Sequence, residues 1–300
     1  MVTHQAGPYG VKLPNEVPDI AHYGFTLAVM PYQPFDSVFG QMLQRYHLNY
    51  LDMFFWSQIR NICPATNDCS LSAEEENDLL NKARLHLQEV KNNPNIAGFW
   101  ILDDYPGNVK STLIKIHDLV REANLTSSIQ RPTVCGFGAR LDYKANPEDR
   151  GYTKSHHYFR RSLENFSPEA CDGVALYLYG ENKVDDPQTI DWSMSDVLPY
   201  AMVALKRYGW DPNRQPLIGL TQAFAYRWKS GEVNFVKPRY QDILTQTEAY
   251  CKWGASAIIF YAWDDSVAET EKIEAVNSEE MRRAMKDGVS ICKEKYWGRN

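Results

Sequence analysis

The chain lacks the signatures on which many enzyme classes rest. No Cys-x-x-Cys pair occurs among its six cysteines, so zinc-ribbon and thioredoxin-like patterns have no support. No Gly-x-Gly-x-x-Gly or phosphate-loop motif follows an apolar run, which leaves a nucleotide-binding open sheet without its anchor. Gly-x-Ser-x-Gly is absent, and with it the usual serine-hydrolase elbow. No His-x-His pair and no lysine closes an apolar run, which argues against a metal-dependent hydrolase and a Schiff-base aldolase. His156 and His157 are adjacent on a predicted helix and so point apart, which is no metal-ligand geometry. A net charge of -6 offers no cationic face for nucleic acid or an anionic membrane. The longest apolar run, around Ala255 to Trp263, is too short to span a bilayer. The N-terminal MVTHQAGPYGVKLPNEV has no apolar core of a signal peptide, and a secreted chain that has lost its leader would read the same way. Compartment is therefore open between secreted and cytoplasmic. No linker, internal repeat or low-complexity tract divides residues 1–300, so a single domain is expected.

What the chain does have is an alternation of short apolar runs with longer amphipathic segments. Strands are expected over 24–30, 49–56, 96–104, 133–139, 173–180, 216–224 and 255–263. Helices are expected over 34–47, from Ser72 to about 92, and over 108–123, 155–166, 193–208, 237–252 and 278–295. Ser72 and Glu75 have the spacing of a capping box. Runs such as GVALYLY and SAIIFYAW are apolar on both faces, which suits a parallel sheet covered by helices. The order is that of an α/β fold, a (β/α)-barrel with one irregular or missing strand. An eighth strand would have to lie in the first 21 residues or in 57–71.

The cysteines leave alternatives open. Cys63 and Cys69 flank a polar loop and either form a small disulfide or remain free thiols. Cys135, Cys171, Cys251 and Cys292 read as buried, inert thiols. Asn124-Leu-Thr and Asn165-Phe-Ser fit the N-glycosylation pattern, at a frequency that chance would supply.

In a barrel, chemistry sits where the strands end. The expected ends carry Trp56, Asp103 with Asp104, Tyr177, Tyr179 with Glu181, Gln222, and Trp263 with Asp264 and Asp265. The loop after 224 adds Tyr226 and Trp228. The collection is aromatic and acidic: aromatic faces stack on the C–H face of a sugar ring, and carboxyl groups supply the acid and base of glycosidic cleavage. The loop of Phe224, Tyr226 and Trp228 reads as a binding surface rather than core, while several of the others have a plainer role open to them. The aspartate pairs can cap helices, and Tyr177, Tyr179 and Trp263 can fill the barrel.

The segment Trp100-Ile-Leu-Asp103-Asp104-Tyr-Pro106 resembles the fourth-strand ending, Trp-x-x-x-Asn-Glu-Pro, of retaining (β/α)8-barrel glycoside hydrolases. NYLDMFFW resembles their second strand, and Gly254 through Trp263 their last, whose Trp floors the sugar subsite. The resemblance implies a metal- and cofactor-independent glycosidase acting on an oligo- or polysaccharide. It places Asp104 at the acid/base position and Asp103 at the sugar-binding one. On this reading Trp56, Tyr179, Tyr226, Trp228 and Trp263 form the sugar platform, with Tyr177 and Gln222 as further substrate-binding residues. The chain departs from the pattern at Gln222, which stands where those enzymes carry the nucleophilic Glu, and by holding one helix where they have helix, strand, helix between the second and fourth strands. The second carboxylate would then be Asp264 or Asp265, or else Glu181. A carbohydrate-binding barrel without catalysis, or a scaffold domain with a filled barrel end, are the alternatives.

Overall fold

The computed structural model describes residues 4–64, 69–105, 107–139, 154–179, 190–228, 234–264 and 269–298. Eight parallel strands form one sheet: β1 (Gln5–Pro8), β2 (Leu27–Met30), β3 (Asn49–Asp52), β4 (Ile96–Asp103), β5 (Thr133–Gly138), β6 (Gly173–Leu178), β7 (Leu217–Gln222) and β10 (Ala255–Tyr261). Their order is β1-β10-β7-β6-β5-β4-β3-β2. The two ends of that order meet. Tyr9 bridges Val29 in parallel, Thr26 donates to the Ala6 carbonyl at 3.1 Å, and Gly10 donates to the Val29 carbonyl at 2.9 Å. The sheet is thus a nearly closed (β/α)-barrel, as the strand–helix alternation predicts. β5, β6 and β7 are buried at every position, because the barrel interior covers one face and helices the other.

The eighth strand is β1, whose apolar content is only Ala6, Gly7 and Pro8, too little to be read from pattern. The segment expected as a strand over 49–56 is shorter. Asp52 ends it by accepting the Phe54 amide on Oδ1 at 2.9 Å, and the aromatics after it open helix α3 (Phe54–Ile62) instead. The other helices are α1 (Val17–His22), α2 (Val38–Arg45), α4 (Ala73–Glu89), α5 (Lys110–Leu125), α6 (Lys154–Leu163), a continuous run from α7 (Ile190–Trp192) through a π turn into α8 (Leu198–Arg207), α9 (Tyr240–Lys252) and α10 (Glu279–Cys292). α4 begins on the predicted capping box: the Ser72 hydroxyl accepts the Glu75 amide at 3.3 Å and the Glu75 carboxylate accepts the Ser72 amide at 2.8 Å.

A second sheet was not expected. β8 (Phe224–Trp228), β9 (Asn234–Phe235) and β11 (Glu269–Glu274) pair antiparallel in the order β11-β8-β9. One residue separates β8 from the end of β7, and the Ala275 and Val276 amides donate to the carbonyls of Ala262 and Trp263. The small sheet is therefore fastened to the C-terminal end of the barrel.

All six cysteines are paired, as Cys63–Cys69, Cys135–Cys171 and Cys251–Cys292, with Cα separations of 5.7, 5.6 and 5.7 Å. This corrects the reading of the last four as free thiols. Their burial was foreseeable. Their pairing was not, because the partners lie 36 and 41 residues apart and meet only through the fold. Among the described residues no helix is long and apolar enough to cross a membrane.

Candidate active site

β4 ends in two adjacent carboxyl groups that meet different surroundings. The pairing of β4 with β5 shifts register between Trp100 and Leu102. Such a bulge lets residues three apart share a face, which strict alternation forbids. Trp100 and Asp103 both turn to the group formed by Tyr9, after β1, and Tyr177, on β6. Gly136 makes this possible, since a Cβ there would stand 2.7 Å from the Tyr177 ring and 2.9 Å from that of Trp100.

The Asp103 carboxyl is held by two phenols. Tyr9 donates to Oδ2 at 2.6 Å, and Tyr177 donates to Oδ1. The Trp100 indole N–H lies near the same carboxyl without an aligned hydrogen bond. Burial pushes Asp103 up to about 6, well above the usual aspartate range. The two tyrosine hydrogen bonds oppose that rise, and the charge of Asp104 adds to it. The Tyr177 phenol is pushed up in turn, first by burial and then by the charge of Asp103. Asp103 nonetheless keeps some contact with solvent, whereas Tyr9 and Tyr177 are buried.

Asp104 points elsewhere. Its backbone is left-handed at φ 45°, its amide donates to the Gly136 carbonyl, and its Oδ1 accepts the Gly138 amide at 2.9 Å. A Cβ at Gly138 would overlap this carboxylate, so the contact needs glycine. Asp104 thus braces the end of β5 and does not cap α5, whose first amides lie beyond Val109.

The other predicted residues separate into groups. Tyr179 and Tyr261 are half-buried at the barrel end and meet the small sheet, with Tyr179 5.0 Å from Phe224 and Tyr261 5.2 Å from it. Tyr226 is buried, and its hydroxyl donates to Glu274 at 2.6 Å. Trp56, on α3, is buried against Tyr105. Trp263 is fully buried, and its indole N–H has no hydrogen-bond partner among the described residues. Gln222 is fully buried at the end of β7; its Nε2 donates to the carbonyls of Phe224 at 3.1 Å and Val236 at 2.9 Å. Asp264 forms ion pairs with Lys12 at 2.8 Å and Lys272 at 3.6 Å. It also helps burial hold the neighbouring Glu16 carboxyl above its ordinary range. Glu181, Asp265 and the Trp228 side chain lie outside the described residues. Sequence reasoning missed Tyr9 and Tyr261. Tyr9 follows a strand that pattern does not show, and Tyr261 sits two residues before the Trp that drew attention. Among the described residues no group of three His, Cys, Asp or Glu side chains is placed to hold a metal.

No family model matches the chain, and no curated protein matches it in sequence. Its backbone is similar to solved barrel structures. The endo-1,4-β-mannanase from Rhizomucor miehei superposes with a TM-score of 0.58 at 10% identity, over 98% of this chain and 96% of that one. The endo-β-1,4-mannanase from Thermotoga petrophila gives 0.57 at 7% identity, over 100% and 78%. The β-galactosidase from Marinomonas ef1 gives 0.58 at 8% identity, and this chain spans 95% of itself but 59% of that protein. At these identities the likeness establishes a shared barrel architecture.

Proposed function

We propose that this barrel binds a carbohydrate at the C-terminal end of its strands and cleaves a glycosidic bond there, with Asp103 as the proton donor. The observation that carries the proposal is the state of Asp103: a half-buried residue at the end of β4 whose carboxyl burial pushes up to about 6 and Tyr9 and Tyr177 orient. A general acid must still hold its proton near working pH, and Asp103 meets that condition. The resemblance in sequence favours Asp104 for this role. The engagement of Asp104 with the Gly138 amide supports giving it to Asp103 instead, with Asp104 as its electrostatic neighbour. The half-buried rings of Tyr179 and Tyr261 supply the apolar wall that a sugar face needs. The structural neighbours, named as mannanases and a galactosidase, make β-1,4-mannan and β-galactosides the first substrates to try.

The test compares Asp103→Asn with Asp104→Asn on these substrates. Asp103→Asn should lower kcat by about 10²–10⁴, the usual size of a general-acid contribution, with little change in affinity. Asp104→Asn keeps an oxygen for the Gly138 amide and should cost less than about tenfold. The reverse ranking would return the acid role to Asp104.

One observation favours a second reading, a binding barrel without turnover. Gln222 occupies the strand end where a retaining enzyme needs its nucleophile, and its amide hydrogens are taken by backbone carbonyls. Wild-type protein that binds these sugars and hydrolyses none of them would establish that reading.

A further inference from the structure

Asn165 belongs to one of the two glycosylation-type triplets, Asn165-Phe166-Ser167. In the fold it is 1% exposed, and every hydrogen-bonding group of its amide faces one stretch of backbone. Nδ2 donates to the Tyr105 carbonyl at 2.9 Å and to the Gly107 carbonyl at 2.7 Å, and Oδ1 accepts the Val109 amide at 2.9 Å. Both amide hydrogens are therefore used. The stretch so gripped is the turn that leaves β4 directly after Asp103 and Asp104. The anchor itself is firm. The Asn165 backbone N–H donates to the Ser162 carbonyl at 3.1 Å, and the adjacent Phe166 is buried against Phe137 of β5.

The turn is also held at its start, where the Asp104 amide donates to the Gly136 carbonyl and Oδ1 accepts the Gly138 amide. It reverses at Asp104 in a left-handed conformation, which aspartate adopts more readily than most side-chain-bearing residues. Val109 precedes α5 without a capping side chain of its own, so the Asn165 oxygen supplies from a distance what a local Ser or Asp normally supplies. Beyond this residue, the Asn108 amide donates to the Cys69 carbonyl at 3.1 Å, and the buried Tyr105 ring meets Trp56 at 5.6 Å.

We propose that Asn165 is a positioning residue: it fixes the turn after β4 and thereby holds Asp103 against Tyr9 and Tyr177. The inference rests on the role given to Asp103 above. It also means that the triplet carries no glycan in the folded protein, because the nitrogen that would be glycosylated lies in the core with both hydrogens engaged.

Asn165→Ala removes all three bonds, while Asn165→Asp keeps the size and an acceptor for Val109 and removes the two donors. The readout is the carboxyl ¹³C titration of Asp103, assigned with Asp103→Asn, together with hydrogen exchange across 104–110. With the fold intact by circular dichroism, both variants should lose protection in that segment, and the Asp103 midpoint should fall by about half a unit or more as water reaches the carboxyl. An unchanged midpoint beside lost protection would reduce Asn165 to a structural role and overturn the proposal. So would failure of both variants to fold. Peptide mass spectrometry after expression in a glycosylating host should find Asn165 unmodified, and a glycan there would also overturn it. Because the titration needs no turnover, a wild-type protein inactive on every sugar would sink the hydrolase reading and leave this test standing.

Discussion

An aspartate that accepts hydrogen bonds from two tyrosines would titrate low in water-like surroundings, because both bonds favour the anion. At Asp103 burial outweighs them, and the group rises from 3.8 to about 6. The sign of the consequence follows from proton counting. Between these two values the folded state holds a proton that the unfolded state has released, so stability falls as pH rises through that window. The stability that the protonated carboxyl preserves is present below about pH 4 and lost once pH passes 6. Asp103→Asn removes this dependence. It should raise the unfolding free energy by about 1–2 kcal/mol at pH 7.5, a figure reduced for the residue's partial exposure, and leave it nearly unchanged at pH 4. Urea unfolding at the two pH values measures this. Equal stability of variant and wild type at pH 7.5 would mean that no such penalty is stored at the site. Sites commonly carry a cost of this kind, traded against stability for chemistry.

Among the elements, the end of β7 departs furthest from the expected pattern. Gln222 ties β8 and the Val236 segment to the barrel through two carbonyl acceptors. An ionised glutamate there would bury its charge and donate to neither carbonyl, and a protonated one could donate to only one. Gln222→Glu should therefore destabilise by about 2–4 kcal/mol and gain no turnover, even though it restores the residue type of the resembling enzymes. A gain in activity from this change would show the site one substitution away from the retaining arrangement. The disulfides act at the same scale. Cys251–Cys292 joins α9 to α10 across 41 residues, and removing it as a Cys→Ala pair should lower the unfolding free energy by about 2–4 kcal/mol. Thiol titration of the denatured, unreduced protein should find no free cysteine. Three such bonds are characteristic of proteins from oxidising compartments.

For the molecule as a whole, the decisive contact is the seam between β1 and β2. A sheet of eight strands leaves two edges exposed unless its ends meet, and closure removes both. Here the closing strand is short, and it approaches β2 so closely that a Cβ on Gly7 would fall within the Leu27 carbonyl. Gly7→Ala should accordingly cost at least about 3 kcal/mol and expose the edges to association. Calorimetry beside light scattering would measure both effects. A variant as stable and monodisperse as wild type would show that the seam can shift without loss. Tyr9 follows β1 by one residue, so closure of the barrel and placement of a hydroxyl on Asp103 are one event.

The amino-acid sequence by itself determined the class of fold. Apolar runs alternating with amphipathic segments leave few solutions other than helices packed on a parallel sheet, and strands buried on both faces announce themselves by composition. It also marked the end of β4, because an acidic pair after Trp100 interrupts an otherwise apolar run. Local pattern could not choose between Asp103 and Asp104. That choice rests on a bulge between Trp100 and Leu102, on the absence of a side chain at Gly136 and Gly138, and on tyrosines that arrive 94 residues before and 74 residues after Asp103 in sequence. The same limit hid β1, the small sheet and two of the three disulfides. Each depends on pairing between distant segments, and periodicity along the chain carries no record of which segments will meet.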